Sequence, residues 1–359
     1  MVILCENNMI KKSTNWIKRH QVAAFFMITF GITWGLGFTY DAILNQGKDL
    51  LMPLAAVATC GPALAGIIVS RICNTEPKSG AAKAPWIAFL IALILSTSVF
   101  IAHNAIVNHT PVSLGLIIFI PIFSVPVAYV LSAAYSRVPS VRQYLASLIQ
   151  ARGVWGWMLL ACVVLAGLGV LSIVISNMLG RQSIHPSALP FKGWTLAKMV
   201  VITFLYQFFF FNGTGEEIGW RGFALPRLQA RTSPLIAGLV LTFFWAAWHV
   251  FFWKAGGEPV STWRYWQETF IRLFPATMLI NWFYNHSRGS ILVAGVTHAA
   301  GNTVFAYMPR VDWTVHTALG YVFVLVIILT DRMWRKLPAE SPATYRTEEQ
   351  VLLVKGEHL

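Results

Sequence analysis

Ten apolar runs follow one another along this chain with almost nothing between them. They cover residues 21–44, 50–71, 85–105, 113–135, 154–177, 197–214, 234–253, 267–285, 290–308 and 313–331. A helix needs about 20 apolar residues to cross the hydrocarbon core of a bilayer. Lipid offers no hydrogen bonds, so a spanning segment must satisfy its backbone within itself. The pattern therefore predicts an all-α polytopic membrane protein of about ten transmembrane helices. Composition agrees: 56% of the 359 residues are hydrophobic and 11% charged, against about 25% charged in soluble domains. The connections leave no room for a separate soluble domain. The sixth run leads straight into a polar stretch, so its helix is expected to continue to about residue 224.

Basic residues set the expected orientation. Nineteen Lys and Arg fall in the N-terminus, in the segments 71–84, 136–152 and 214–233, at Arg288 and in the tail. Six (Lys48, Arg181, Lys192, Lys254, Arg264 and Arg310) fall in the alternate connections, with Lys198 and Arg272 at span edges. Both termini are thus expected in the cytoplasm, in a membrane read as a bacterial plasma membrane. The net charge of +13 reads as a topology signal and an attraction to anionic lipid; no basic, aromatic-laced groove suggests nucleic acid. The expected organisation is a basic N-terminus (1–20), N-terminal helices (21–195), a core carrying the polar motifs (196–310), a last helix (311–337) and a polar, mobile tail (338–359). The first span reads as retained, because no small-residue cleavage site follows it. Cys5, Cys60, Cys73 and Cys162 lack metal-type spacing and read as small apolar residues or free thiols.

Ionisable residues inside apolar spans are functional candidates by default, and three groups qualify. Glu216-Glu217-Ile-Gly-Trp-Arg221 ends the sixth run. Glu217 and Arg221, four apart, share a helical face in the favoured order of acid before base. Glu216 lies about 100° round the helix, without that partner and with Gly219 leaving space beside it; it reads as a base or a metal ligand. Trp245 and His249 share a face of the seventh span. His298 and Asn302 share a face of the ninth, where Gly295 and Ala299 permit close helix packing. A carboxylate, two imidazoles and a carboxamide can together polarise water and stabilise an oxyanion. Gln207 and Asn212 either line a cavity or bond to backbone. His103 and His316 read as structural, and Phe208 to Phe211 as packing and lipid contact. HExxH, GxSxG, Walker and GxGxxG motifs are absent.

These residues resemble the CAAX protease and bacteriocin-processing (CPBP, or Abi) intramembrane proteases, related to the type II CAAX prenyl endopeptidases. The match runs over roughly 204–305. It rests on Glu216, Glu217 and Arg221; on Trp245 and His249, where phenylalanine is common at the aromatic position; and on His298 and Asn302, with "GPALAG" from Gly61 similar to an early family span. The resemblance implies an intramembrane endopeptidase acting on a peptide or membrane-protein substrate, with a family core of eight spans and about two extra here. It implies that Glu216 and His249 activate water, that His298 and Asn302 stabilise the oxyanion, and that Glu217, Arg221 and Trp245 support them. It leaves open zinc or another divalent metal, for which Glu216, His249 and His298 would be the ligands, or no metal. Two other readings compete: a catalytically idle relative acting as scaffold or bacteriocin immunity factor, and an ion or solute transporter, for which no internal repeat is visible.

Depth poses a problem for any shared site. At about 1.5 Å per residue, His249 falls near the outer end of its span, His298 mid-membrane and Glu216 near the cytoplasmic edge. Residues 215–233 are therefore expected inside the membrane, or the spans staggered, around a cavity opening to the cytoplasm or laterally to lipid.

Overall fold

A computed structural model describes residues 2–43, 57–181, 192–255, 260–307 and 312–345. Among them are helices and connections only. They comprise α1 (Val2–Arg19), α2 (Gln21–Ile43), α3 (Gly61–Ile72), α4 (Ala84–Ile106), α5 (Leu114–Ser132), the short α6 (Pro139–Leu145), α7 (Trp155–Met178), α8 (Gly193–Gln229), α9 (Pro234–Ala255), α10 (Trp263–His286), α11 (Ile291–Tyr307) and α12 (Trp313–Thr330). Every expected span falls on a helix, although residues 44–56 and 308–311, at the edges of three of the expected spans, lie outside the described residues. Six helices (α4, α5, α7, α8, α9 and α12) are long and apolar enough to cross a membrane, and shorter apolar helices occupy Gln21–Gly37, Gly61–Ile72 and Ile291–Tyr307. The chain is a polytopic helical membrane protein.

Side-chain contacts define the two ends of the bundle. At one end Arg227 Nε donates to Gln21 Oε1 at 2.8 Å, the Leu235 N–H to the Met333 carbonyl at 3.0 Å, and the Ile291 N–H to Ser147 Oγ at 3.1 Å. The starts of α2 and α9 thus meet the ends of α8 and α12 there, and the start of α11 meets the turn between α6 and α7. This is the basic end, because the Lys- and Arg-rich connections lie on it. At the far end Arg181 pairs with Asp312 at 3.5 Å, Thr203 Oγ1 meets Tyr307 Oη at 2.7 Å, and the Trp253 and Tyr265 rings stand 5.7 Å apart.

The α8 helix organises the interior. It runs unbroken for 37 residues, past the expected stop near 224. Its middle, Gln207–Ala224, is wound wider than an α-helix: the Leu225 N–H reaches back five residues to the Trp220 carbonyl. Wide π-type turns recur at functional sites. Gly215 and Gly219 let this segment press on the turn leading into α3 and on its start. A Cβ on Gly215 would stand 2.6 Å from the Thr59 carbonyl oxygen, and one on Gly219 would run into the Pro62 backbone. Gly219 therefore serves helix contact rather than leaving room beside Glu216. Gly295 does the same for α11, since a Cβ there would lie 2.9 Å from Gly213 Cα.

The basic N-terminus is helical, as α1, and at the other end of the chain one expectation is revised. Residues up to Tyr345 are packed rather than free: Gln229 Nε2 donates to the Ala343 carbonyl at 2.9 Å, the Tyr345 N–H to the Pro226 carbonyl at 3.0 Å, and Ala343 is fully buried. The Arg227 guanidinium lies between the Phe223 and Tyr345 rings, 3.6 and 3.9 Å from their centroids. The rest of the tail lies outside the described residues. Among the described residues Cys60, Cys73 and Cys162 form no disulfide.

Candidate active site

The continuation of α8 resolves the depth problem. Gln229, not Glu216, reaches the basic end, so up to about 20 Å of helix at 1.5 Å per residue lifts Glu216 into the interior. Glu216, Glu217 and Arg221 are all buried. Beside them stand Trp245 and His249 of α9 and His298 and Asn302 of α11. Glu216, Trp245, His249, His298 and Asn302 border one cavity of ≈ 710 Å³, together with Gln207 and His316.

Both glutamates are engaged. Glu216 Oε2 accepts from the Trp245 indole Nε1 at 2.6 Å, and Oε1 from Asn212 Nδ2 at 3.1 Å. Trp245 is thus a direct partner of the carboxylate, which a phenylalanine at this position would not be. Glu217 Oε1 accepts from Arg221 Nη1 at 2.7 Å and from His298 Nδ1 at 2.7 Å. Arg221 is held further by its Nε, which donates to Asn281 Oδ1 at 3.0 Å, and lies 4.9 Å from the Trp245 ring centroid.

An α-helical reading sends the two glutamates in different directions. In the wider coil, successive side chains turn through a smaller angle, and both carboxylates join one network around His298. Asn212 is its hub. Its Nδ2 donates to Glu216 and lies 3.3 Å from His298 Nε2, while its Oδ1 accepts from Asn302 Nδ2 at 3.0 Å. The opposite amide orientation would set Oδ1 against the Glu216 carboxylate, so the assignment follows from the chemistry. The sequence offered one signal for Asn212: it stands four residues before Glu216.

The tautomers follow from the partners. His249 Nδ1 lies 2.8 Å from the Trp245 carbonyl oxygen. A carbonyl only accepts, so Nδ1 carries the proton and Nε2 keeps a lone pair. The ring stacks on Trp253, with centroids 4.6 Å apart. His298 donates Nδ1–H to Glu217, and its Nε2 faces an amide nitrogen that only donates. A carboxylate that orients an imidazole in this way fixes its tautomer.

The arrangement does not suit the metal-ligand trio of Glu216, His249 and His298. Both nitrogens of His298 and both oxygens of Glu216 have protein partners. Among the described residues no group of three or more His, Cys, Asp or Glu converges as metal ligands do.

The two histidines read as structural have partners. His103 stacks on Tyr206 with centroids 3.9 Å apart, and His316 Nδ1 lies 2.9 Å from Ser172 Oγ. His316 also borders the cavity, a placement its lack of helical-spacing partners concealed.

No residue of the basic-end connections borders the cavity. Its outer lining includes Trp253, Tyr265, Glu268, Arg272, Ala306, Trp313 and Thr317, which stand at the far ends of α9 to α12. Arg272 lies 5.9 Å from the ring centroid of Trp313, the first residue of α12, which sets the level of this rim.

Comparison with known proteins bears on this same region. Residues 194–304 match the family model described as type II CAAX prenyl endopeptidase Rce1-like. A curated relative, CAAX prenyl protease 2 of Methanococcus maripaludis, is 28% identical over 126 residues, which cover 33% of this chain and 46% of the relative. The chain thus spans about half the length of the curated relative it matches. All three motifs lie within the matched segment, and over it the chain is similar to the CAAX proteases.

Proposed function

We propose that this protein is an intramembrane endopeptidase that hydrolyses a peptide bond inside its buried cavity. The observation that carries this reading is the convergence of Glu216, His249, His298 and Asn302 on one cavity, with the base-competent Nε2 on His249. Glu216, positioned by Trp245 and Asn212, polarises a water and takes its proton as the water oxygen bonds to the carbonyl carbon. The negative charge moves to the carbonyl oxygen. Asn302 donates the amide hydrogen that Asn212 does not use to the oxyanion, and His298 stands beside it as the second oxyanion-stabilising residue. As the C–N bond breaks, the proton passes through His249 to the leaving amine. Arg221 and Glu217 hold His298 in position throughout. No step is assigned to a metal.

The membrane is read as a bacterial plasma membrane, with the basic end in the cytoplasm and a peptide or membrane-protein segment as substrate. Mass-spectrometric comparison of new peptide termini in cells expressing wild type, Glu216→Gln and His249→Ala tests the reading. A positioned acid–base group contributes roughly 10²- to 10⁴-fold, so each substitution is expected to remove product while leaving thermal unfolding intact. Chelation with zinc add-back in the same assay reads metal dependence. A cellular phenotype that survives both substitutions would instead mark a non-catalytic scaffold or immunity factor.

A further inference from the structure

We propose that the substrates are peptide segments presented on the extracytoplasmic face, already across the membrane, and that they enter through the far-end rim of the cavity. The inference rests on the peptidase reading for what happens at the site; the direction of access stands on separate observations.

The first is the shape of the cavity. Its inner lining is Glu216, Trp245 and His298, all buried, and its exposed lining is Arg272, Ala306 and Trp313, at the far ends of α10, α11 and α12. The second is what lies beyond that floor. Between the glutamates and the basic end, α8 carries Trp220, Arg221, Phe223 and Leu225, each fully buried. Below them Gln229 is tied to Asn285 and to the docked tail at Ala343. A chain approaching from the basic end meets a packed layer, whereas among the described residues the cavity lining continues to the exposed side chains of the far-end rim.

The third is the charge asymmetry. Arg221 leaves the basic-end total, because it is buried in an ion pair. The remainder still greatly exceeds the far-end Lys and Arg. The excess of Lys and Arg in short loops marks the cytoplasmic side, so the closed end faces the cytoplasm and the open end faces outward. The rim suits that position. Trp253, Tyr265 and Trp313 are of the aromatic types enriched where a membrane meets water, and Glu268 with Arg272 gives an entering backbone both an acceptor and a donor group. A substrate whose scissile bond is confined to the cytoplasm cannot reach this opening.

Cysteine accessibility in intact cells tests the proposal. Thr317→Cys reports the cavity wall, Thr314→Cys the exposed start of α12, and Lys78→Cys the basic end, with wild type as baseline for the native thiols. A membrane-impermeant maleimide is expected to label Thr314→Cys and Thr317→Cys in intact cells, and Lys78→Cys only after lysis. The reverse pattern overturns the orientation. Labelling of Thr314→Cys without Thr317→Cys, before or after lysis, overturns the open rim. Failure of Glu216→Gln to abolish cleavage would remove the peptidase reading and leave these labelling results standing.

Discussion

Two ion pairs in this molecule share one spacing and one contact distance and differ in their surroundings. Glu217 and Arg221 on α8 are four residues apart with a 2.7 Å contact, and so are Arg264 and Glu268 on α10. The first pair has no solvent-exposed side-chain surface, whereas Arg264 is 87% and Glu268 43% exposed. Water screens the α10 pair, and exposed pairs contribute little to stability. The α8 pair has lost its hydration and depends on its mutual attraction and its hydrogen bonds. Spacing and distance therefore do not rank the two; burial does. Third partners divide them as well. Glu217 also holds a cavity-lining imidazole, and Arg221 holds Asn281, while Glu268 adds only the half-exposed Arg272 at 3.3 Å.

The largest effect is expected from breaking the buried pair on one side. Arg221→Met leaves the Glu217 carboxylate without its cation, and removing one member of a buried pair costs about 3–5 kcal/mol. Detergent-solubilised protein should show a large fall in unfolding temperature. The double variant Glu217→Leu/Arg221→Met sharpens the comparison. Replacing both members of a buried pair with apolar side chains is often neutral, so stability should largely return. Activity should not, because His298 Nδ1 loses its acceptor. Recovery of both would show that Glu217 serves packing alone.

Next in size are the two residues that hold Glu216. A hydrogen bond to a charged group is worth about 1.5–3 kcal/mol, or roughly 10- to 100-fold in rate. Asn212→Ala removes the link among Glu216, His298 and Asn302 and should fall near the top of that range; Trp245→Phe removes one donor and should fall near the bottom. Both losses are expected in kcat rather than KM. Asn212→Ala should also alter the pH profile of kcat, which a purely structural change would leave in place. An unchanged profile with a raised KM would assign Asn212 to substrate binding instead.

The sequence made the helices legible because length and hydropathy alone decide whether a segment can lie in lipid. Helical spacing likewise made Glu217–Arg221, Trp245–His249 and His298–Asn302 legible as pairs. What joins the pairs was hidden, because each link crosses between helices: Asn212 to His298 and Asn302, the Trp245 indole to Glu216, Glu217 to His298. The wide winding of α8 was hidden for a related reason. It changes the angular relation of Glu216 to Glu217, and spacing arguments assume the α-helical angle. The docking of Ala343 and Tyr345 escaped notice because a polar segment reads as solvated until a partner such as Gln229 or Arg227 is placed beside it.

The smallest effect is expected at the exposed pair. Arg264→Gln should leave the unfolding temperature of the solubilised protein unchanged, since water replaces the lost contact. Glu268→Gln should leave it unchanged too, but this position carries a second consequence. Glu268 borders the cavity and Arg264 does not. If peptides enter over this rim, Glu268→Gln alters KM with little change in kcat, and Arg264→Gln alters neither. Measured together, the two variants separate a charge that only decorates the surface from one that meets the substrate. Equal and silent outcomes would show that the exposed pair has no part in access, and would confine the functional charge of this protein to its buried α8 network.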